Sequence, residues 1–132
     1  MFARMASSIL LILCVMLSGA SSPPSPQPER SCREHPRLIG SCFKVHGRLS
    51  TYNGNPAVRL WRTGTKRILG VSDQRFKEPG FRNIPENLLR QLDGENTITG
   101  DFVVCPFTRQ KPGEMQLVCI DSAKNTVVKK RS

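Results

Sequence analysis

Two Cys/His pairs stand close together early in the chain, Cys32-x-x-His35 and Cys42-x-x-x-His46. Four soft ligands in two short-spaced pairs are what tetrahedral zinc takes, so one reading of Cys32, His35, Cys42 and His46 is a metal-binding module. Cys105 and Cys119 bring in a competing chemistry. With Cys32 and Cys42 they make an even set, and in an exported chain an even set of cysteines oxidises to disulfides. The gap between the two pairs is shorter than in familiar zinc fingers, so the expectation is two disulfides and no metal. Three connectivities are open. The favoured one joins Cys32 to Cys42 and Cys105 to Cys119, because Lys111-Pro112-Gly113 marks a turn between the last two, and a hairpin centred there sets them opposite each other. No Cys-x-x-Cys occurs, which argues against thiol redox catalysis.

A second constellation is cationic. If Asn53-Gly54 makes a tight hairpin, Arg48 falls opposite Arg59 and His46 opposite Trp61. Like charges so placed repel unless a carboxylate or an anionic ligand lies between them. Arginine forks grip phosphate and carboxylate groups and Trp61 offers a stacking plane, so Arg48, Arg59, Trp61 and His46 are the candidate ligand-binding residues. The plainer reading of the same residues is a solvated basic strand face with Trp61 stacked under an arginine. Catalytic residues are not marked: there is no Gly-x-Ser-x-Gly and no phosphate-cradling glycine loop, and the carboxylates are scattered singly. The expectation is therefore no enzyme and no cofactor, with a small secreted enzyme or the Cys/His metal module as alternatives.

These residues belong to a chain of 132 residues with a formal net charge of +10, 38% hydrophobic residues, ten Gly and ten Pro. That length holds a single domain, and the Gly and Pro content points away from a helical bundle. Residues 1–20 read as a signal peptide: Arg4 gives the charged start, Ile9 to Leu17 the apolar centre and Ser18-Gly19-Ala20 the small-residue cleavage site. The fifth cysteine, Cys14, lies within it. The apolar run is too short to cross a bilayer, and no transmembrane segment is expected after cleavage. Residues 21–31 read as a Pro/Ser-rich linker and 32–132 as one β-rich domain, secreted or periplasmic. The excess charge lies almost wholly after residue 20 and favours an anionic envelope polymer or an acidic protein as partner. Nucleic acid is disfavoured for an exported domain with few aromatic residues.

The elements that position the candidates are short. Phe43, Val45, Gly47 and Leu49 alternate with Lys44, His46, Arg48 and Ser50, the period of a half-buried strand. Further strands are expected at 57–61, 66–71, 98–106, 115–120 and 126–130, the last two separated by a turn at Asp121 to Asn125. Ser72 to Asn83 reads as a surface loop, and Pro85 to Leu92 as a short helix with Ile84, Leu88 and Leu92 toward the core. An even-length loop after Tyr52 would keep Val58 and Leu60 on the face of Val45 and Leu49.

Val45-His46-Gly47-Arg48-Leu49, Asn53-Gly54-Asn55-Pro56-Ala57-Val58-Arg59-Leu60 and Gly100-Asp101-Phe102-Val103-Val104 resemble the V-x-G-x-L, G-x-P-A-x-V-x-L and G-x-F-x-V progression of transthyretin-like and carboxypeptidase-regulatory-like β-sandwich domains. The resemblance implies a non-catalytic accessory, carrier or binding module. The basic loop and the short helix depart from that pattern, and no ligand residue carries across. The fold expected is all-β: a small disulfide-bonded β-sandwich, prealbumin- or Ig-like, of about six strands with one short helix. The alternative is an OB-fold-like five-stranded barrel, since three meandering strands, a helix and a terminal hairpin fit that order as well.

Overall fold

The computed structural model describes residues 18–23 and 28–131. Most of the expected signal peptide, to residue 17, and the linker positions 24–27 lie outside the described residues. The chain forms β1 (Phe43–Thr51), β2 (Val58–Arg62), β3 (Ile68–Gly70), α1 (Glu86–Gln91), β4 (Asn96–Pro106) and β5 (Gln116–Lys130), with single 3-10 turns at Cys32–Glu34 and Gln74–Phe76. The domain is all-β with one short helix and two disulfides. Among the described residues no helix is long and apolar enough to cross a membrane.

The sheet closes on itself in the order β1-β2-β3-β5-β4, with β4 paired back to β1. Every pairing is antiparallel except the short parallel contact of β3 with β5 at Leu69 and Gly70. Of the two architectures left open above, the closed five-stranded barrel with its helix between the third and fourth strands is the one this pairing builds. The difference from six strands arises at Asp121 to Asn125. That polar stretch does not turn the chain; β5 runs through it and stays paired with β4, taking up extra residues as irregularities opposite Thr99–Asp101 and Val103–Val104. Asn125 adopts φ 54°, a conformation that asparagine tolerates better than most side chains.

Inward alternation gives the core. Leu49, Leu60, Leu69, Ile98, Phe102, Val104 and Val118 are wholly buried, and Leu88 reaches them from α1. Gly47 lies opposite both Arg62 on β2 and Gly100 on β4. A Cβ at Gly47 would run into the carbonyl of Trp61, so the strands approach there only because the position is glycine.

A second buried cluster of Cys32, Cys105, Phe107, Leu117 and Cys119 lies under the segment preceding β1. That segment docks earlier than its reading as linker implies: the backbone of Arg30 hydrogen-bonds to Gly80 and Arg82, and Glu29 pairs with Arg82 at 3.0 Å. The disulfides are Cys32–Cys119 and Cys42–Cys105, which corrects the pairing expected from sequence. The hairpin argument did find neighbours, since Cys105 and Cys119 face each other across β4 and β5. Each sulfur instead bonds outward to the N-terminal segment, which crosses this end of the barrel and is tied at both ends.

Candidate functional site

The register of β1 on β2 decides the cationic face. The loop between them runs from Tyr52 to Ala57, closed by the Tyr52 N–H donating to the Ala57 carbonyl at 2.7 Å, with Gly54 at φ 103° and a cis Asn55–Pro56 peptide. This loop is longer than a tight two-residue turn by an even number of residues, so the expected faces are kept while every cross-strand partner moves. Arg48 lies opposite Trp61 and Ser50 opposite Arg59. The expected confrontation of Arg48 with Arg59, and of His46 with Trp61, is therefore replaced.

What forms instead is a set of guanidinium groups seated on aromatic rings. The Arg48 guanidinium lies 4.7 Å from the centre of the Trp61 ring, whose Nε1–H donates to the Thr65 carbonyl at 2.6 Å. Arg59 and Arg131 both stack on Tyr52, at 4.9 and 5.0 Å. Arg59 also donates from Nε to the Pro56 carbonyl, and Arg131 donates to the Thr51 carbonyl at 2.5 Å. Backbone acceptors and ring faces thus fix three planar cations on one side of the barrel. Trp61 under Arg48 is the arrangement that the plainer reading of a basic strand face describes, and each ring serves here to seat a cation.

The same face continues across β1 onto β4 and β5. Thr99 stands opposite Arg48, and Thr97 stands between Ser50 and Lys129. A groove of about 420 Å³ runs here, with Ser50, Thr97 and Thr99 along it and Arg48, Tyr52, Lys129, Lys130 and Arg131 around it. Ser50 is 2% exposed although it points away from the core. Short hydroxyls between long cations make a trough that offers hydrogen-bond donors and positive charge. Among the described residues, Arg48, Arg59, Lys129 and Arg131 form no ion pair with a carboxylate.

His46, the fourth sequence candidate, is drawn away from this group. Its Nδ1 lies 2.7 Å from Asp101, directly across on β4. Asn125 donates to the same carboxylate at 3.0 Å, and with His46 and nearby Lys44 it holds Asp101 below the ordinary carboxylate range. His46 is therefore engaged with Asp101 and stands apart from the stacked arginines. Sequence reasoning missed Tyr52 and the hydroxyls Ser50, Thr97 and Thr99. Lys129, Lys130 and Arg131 were visible as a charge run, but nothing local tells that the run lies along β4 beside Tyr52.

The metal alternative is not assembled. The sulfurs of Cys32 and Cys42 are in disulfides to different strands, and His46 sits on the outer face with Asp101. His35 is 4% exposed, packed on Phe107 and Phe81, and has both ring nitrogens engaged: the Arg37 N–H donates to Nδ1 and Nε2 contacts the Phe76 carbonyl, each at 3.1 Å. It is a core histidine. Among the described residues no hydroxyl or thiol is hydrogen-bonded to either imidazole. No protein-family model, curated protein or solved structure matches this chain.

Proposed function

We propose that this chain is an exported, non-catalytic binding domain that holds an anionic partner, an envelope polymer or an acidic protein, against the groove across β1, β4 and the end of β5. The observation that carries this reading is Tyr52 serving two guanidinium groups, Arg59 and Arg131, with Arg48 set on Trp61 beside them and, among the described residues, no carboxylate paired with any of the three. Cations held in place before binding lose less conformational freedom when an anion arrives, and the guanidinium plane suits the two oxygens of a phosphate, sulfate or carboxylate. Export is supported by the signal-peptide pattern of residues 1–20 and by two disulfides, which persist in oxidising compartments.

The test is retention on an anionic matrix under rising salt. A variant with Arg48→Ala, Arg59→Ala and Arg131→Ala is compared with one carrying Lys66→Ala, Lys77→Ala and Lys111→Ala, which removes the same charge from exposed loop positions. The face variant elutes at clearly lower salt if the groove binds. Equal elution of the two variants means that only net charge matters, and the proposal fails.

A further inference from the structure

The two disulfides are neighbours. Cys105 and Cys119 are direct cross-strand partners, each wholly buried, yet they are not bonded to each other. The sulfurs of Cys32, Cys105 and Cys119 all lie within 4.8 Å of one another. Cys42 is the half-buried member of the four, while Cys32 is only 1% exposed. A disulfide is cleaved by a thiolate attacking sulfur, and the thiolate released can attack the next disulfide within reach. We propose that this arrangement is a thiol–disulfide relay: an external dithiol enters at Cys42, and the remaining disulfide moves to join Cys105 with Cys119.

In the first step the incoming thiolate bonds to the Cys42 sulfur, the Cys42–Cys105 bond breaks and its electron pair leaves on Cys105. Cys105 then attacks the Cys119 sulfur; the Cys105–Cys119 bond forms, the Cys32–Cys119 bond breaks, and Cys32 leaves as thiolate and takes a proton from solvent. The second thiol of the reductant attacks the mixed disulfide, which frees Cys42 as a thiol and closes the reductant to its own disulfide. One dithiol is oxidised, one protein disulfide is reduced, and the other has changed partners.

Two features drive the second step. A thiolate at the buried Cys105 is costly to leave in place, and an acceptor disulfide within 4.8 Å makes its capture intramolecular. Directly opposed residues of an antiparallel pair have Cα atoms about 4.5–5.5 Å apart, inside the range a disulfide spans. A single reductive event then cuts both covalent ties between the N-terminal segment and the barrel, while β4 and β5 remain stapled. That segment carries Arg33, paired with Asp121 at 3.3 Å, and His35, packed on Phe107. The redox state of the surroundings thereby sets whether this segment is tied covalently to the barrel or held by these noncovalent contacts alone.

The oxidised full chain is treated with one molar equivalent of dithiothreitol at about pH 8, where thiolates are populated, without denaturant. The reaction is quenched, free thiols are tagged and the cysteines are mapped by mass, with Cys14 scored separately. The relay requires that most single-disulfide molecules carry tags on Cys32 and Cys42 and a Cys105–Cys119 bond. Tags mainly on Cys42 and Cys105, with Cys32–Cys119 intact, overturn it. So does any other dominant pair, or the absence of a single-disulfide species. As a second arm, a variant with Cys32→Ser and Cys42→Ser is purified in air. Cys105 and Cys119 are expected to be linked in it, and finding both as free thiols contradicts the relay.

Discussion

Tyr52→Leu isolates the arrangement of the cationic face from its charge. The substitution leaves net charge and every cation unchanged and removes the ring on which Arg59 and Arg131 rest. Tyr52 is 43% exposed, and guanidinium–ring contacts at such sites contribute about 0.5–1 kcal/mol each. Two contacts therefore hold the pair in place with about 1–2 kcal/mol, and without the ring a ligand must order both arginines itself at a similar cost. The expected result is an affinity for polyphosphate lowered about five- to thirtyfold. Trp61 is the only tryptophan and lies under Arg48, so its fluorescence reports binding at this face directly. The titration is repeated at about 50 and 200 mM salt, because each neutralised charge contributes about 0.7 to the logarithmic salt slope for a flexible polyanion. With Arg48, Arg59, Lys129 and Arg131 engaged, the parent should lose about fiftyfold between those two salts, and Tyr52→Leu should show the same slope. An affinity within twofold of the parent would falsify the claim that the rings organise the site. A flatter slope would show instead that the variant had lost whole charge contacts.

Three further expectations concern the scaffold. Phe102→Ala removes a wholly buried ring from the barrel core and should cost about 3–5 kcal/mol in urea unfolding; a loss under 1 kcal/mol contradicts the packing described. Gly70→Ala places a Cβ 2.6 Å from Pro56 Cγ and 2.7 Å from Leu117 Cδ2, where β3 meets both β2 and β5, and should lower stability by about 1–3 kcal/mol through overpacking, read as a lower urea midpoint. Asp73 is buried and its carboxylate is held below the ordinary range first by the side-chain hydrogen bond from Arg75. The unfolded chain thus takes up the proton at higher pH than the folded one, so the contribution of Asp73 is fully present above the ordinary carboxylate range and is lost as pH falls through the folded value. Asp73→Asn should therefore lower the urea midpoint at pH 7, with the difference shrinking as pH falls below the ordinary carboxylate range; a difference independent of pH shows that the charge plays no part.

Much of this molecule is written locally. Alternation along Phe43 to Ser50 determines which side chains face inward, because successive side chains of a strand point to opposite sides. The short helix announces itself through Pro85, Glu86 and the spacing of Leu88, and the four cysteines after residue 20 announce two disulfides. Relations between distant segments are not local, and there the tertiary structure decided. Arg48 meets Trp61 and not Arg59 because a loop of the same parity can shift register by two residues without turning any side chain over. Asp121 to Asn125 looks like a turn when read alone, yet pairing with β4 keeps it in the sheet, and this carries Lys129 and Arg131 beside Tyr52. Cys105 and Cys119 face each other as the hairpin pattern implies, but each bonds to the N-terminal segment that closes over them. The residue types that carry charge and sulfur are therefore a property of the sequence. Which of them act together is decided by the tertiary structure, because strand pairing lays the end of β5 along β4, whose other edge is β1, and the disulfides tie Cys32 and Cys42 to Cys119 and Cys105.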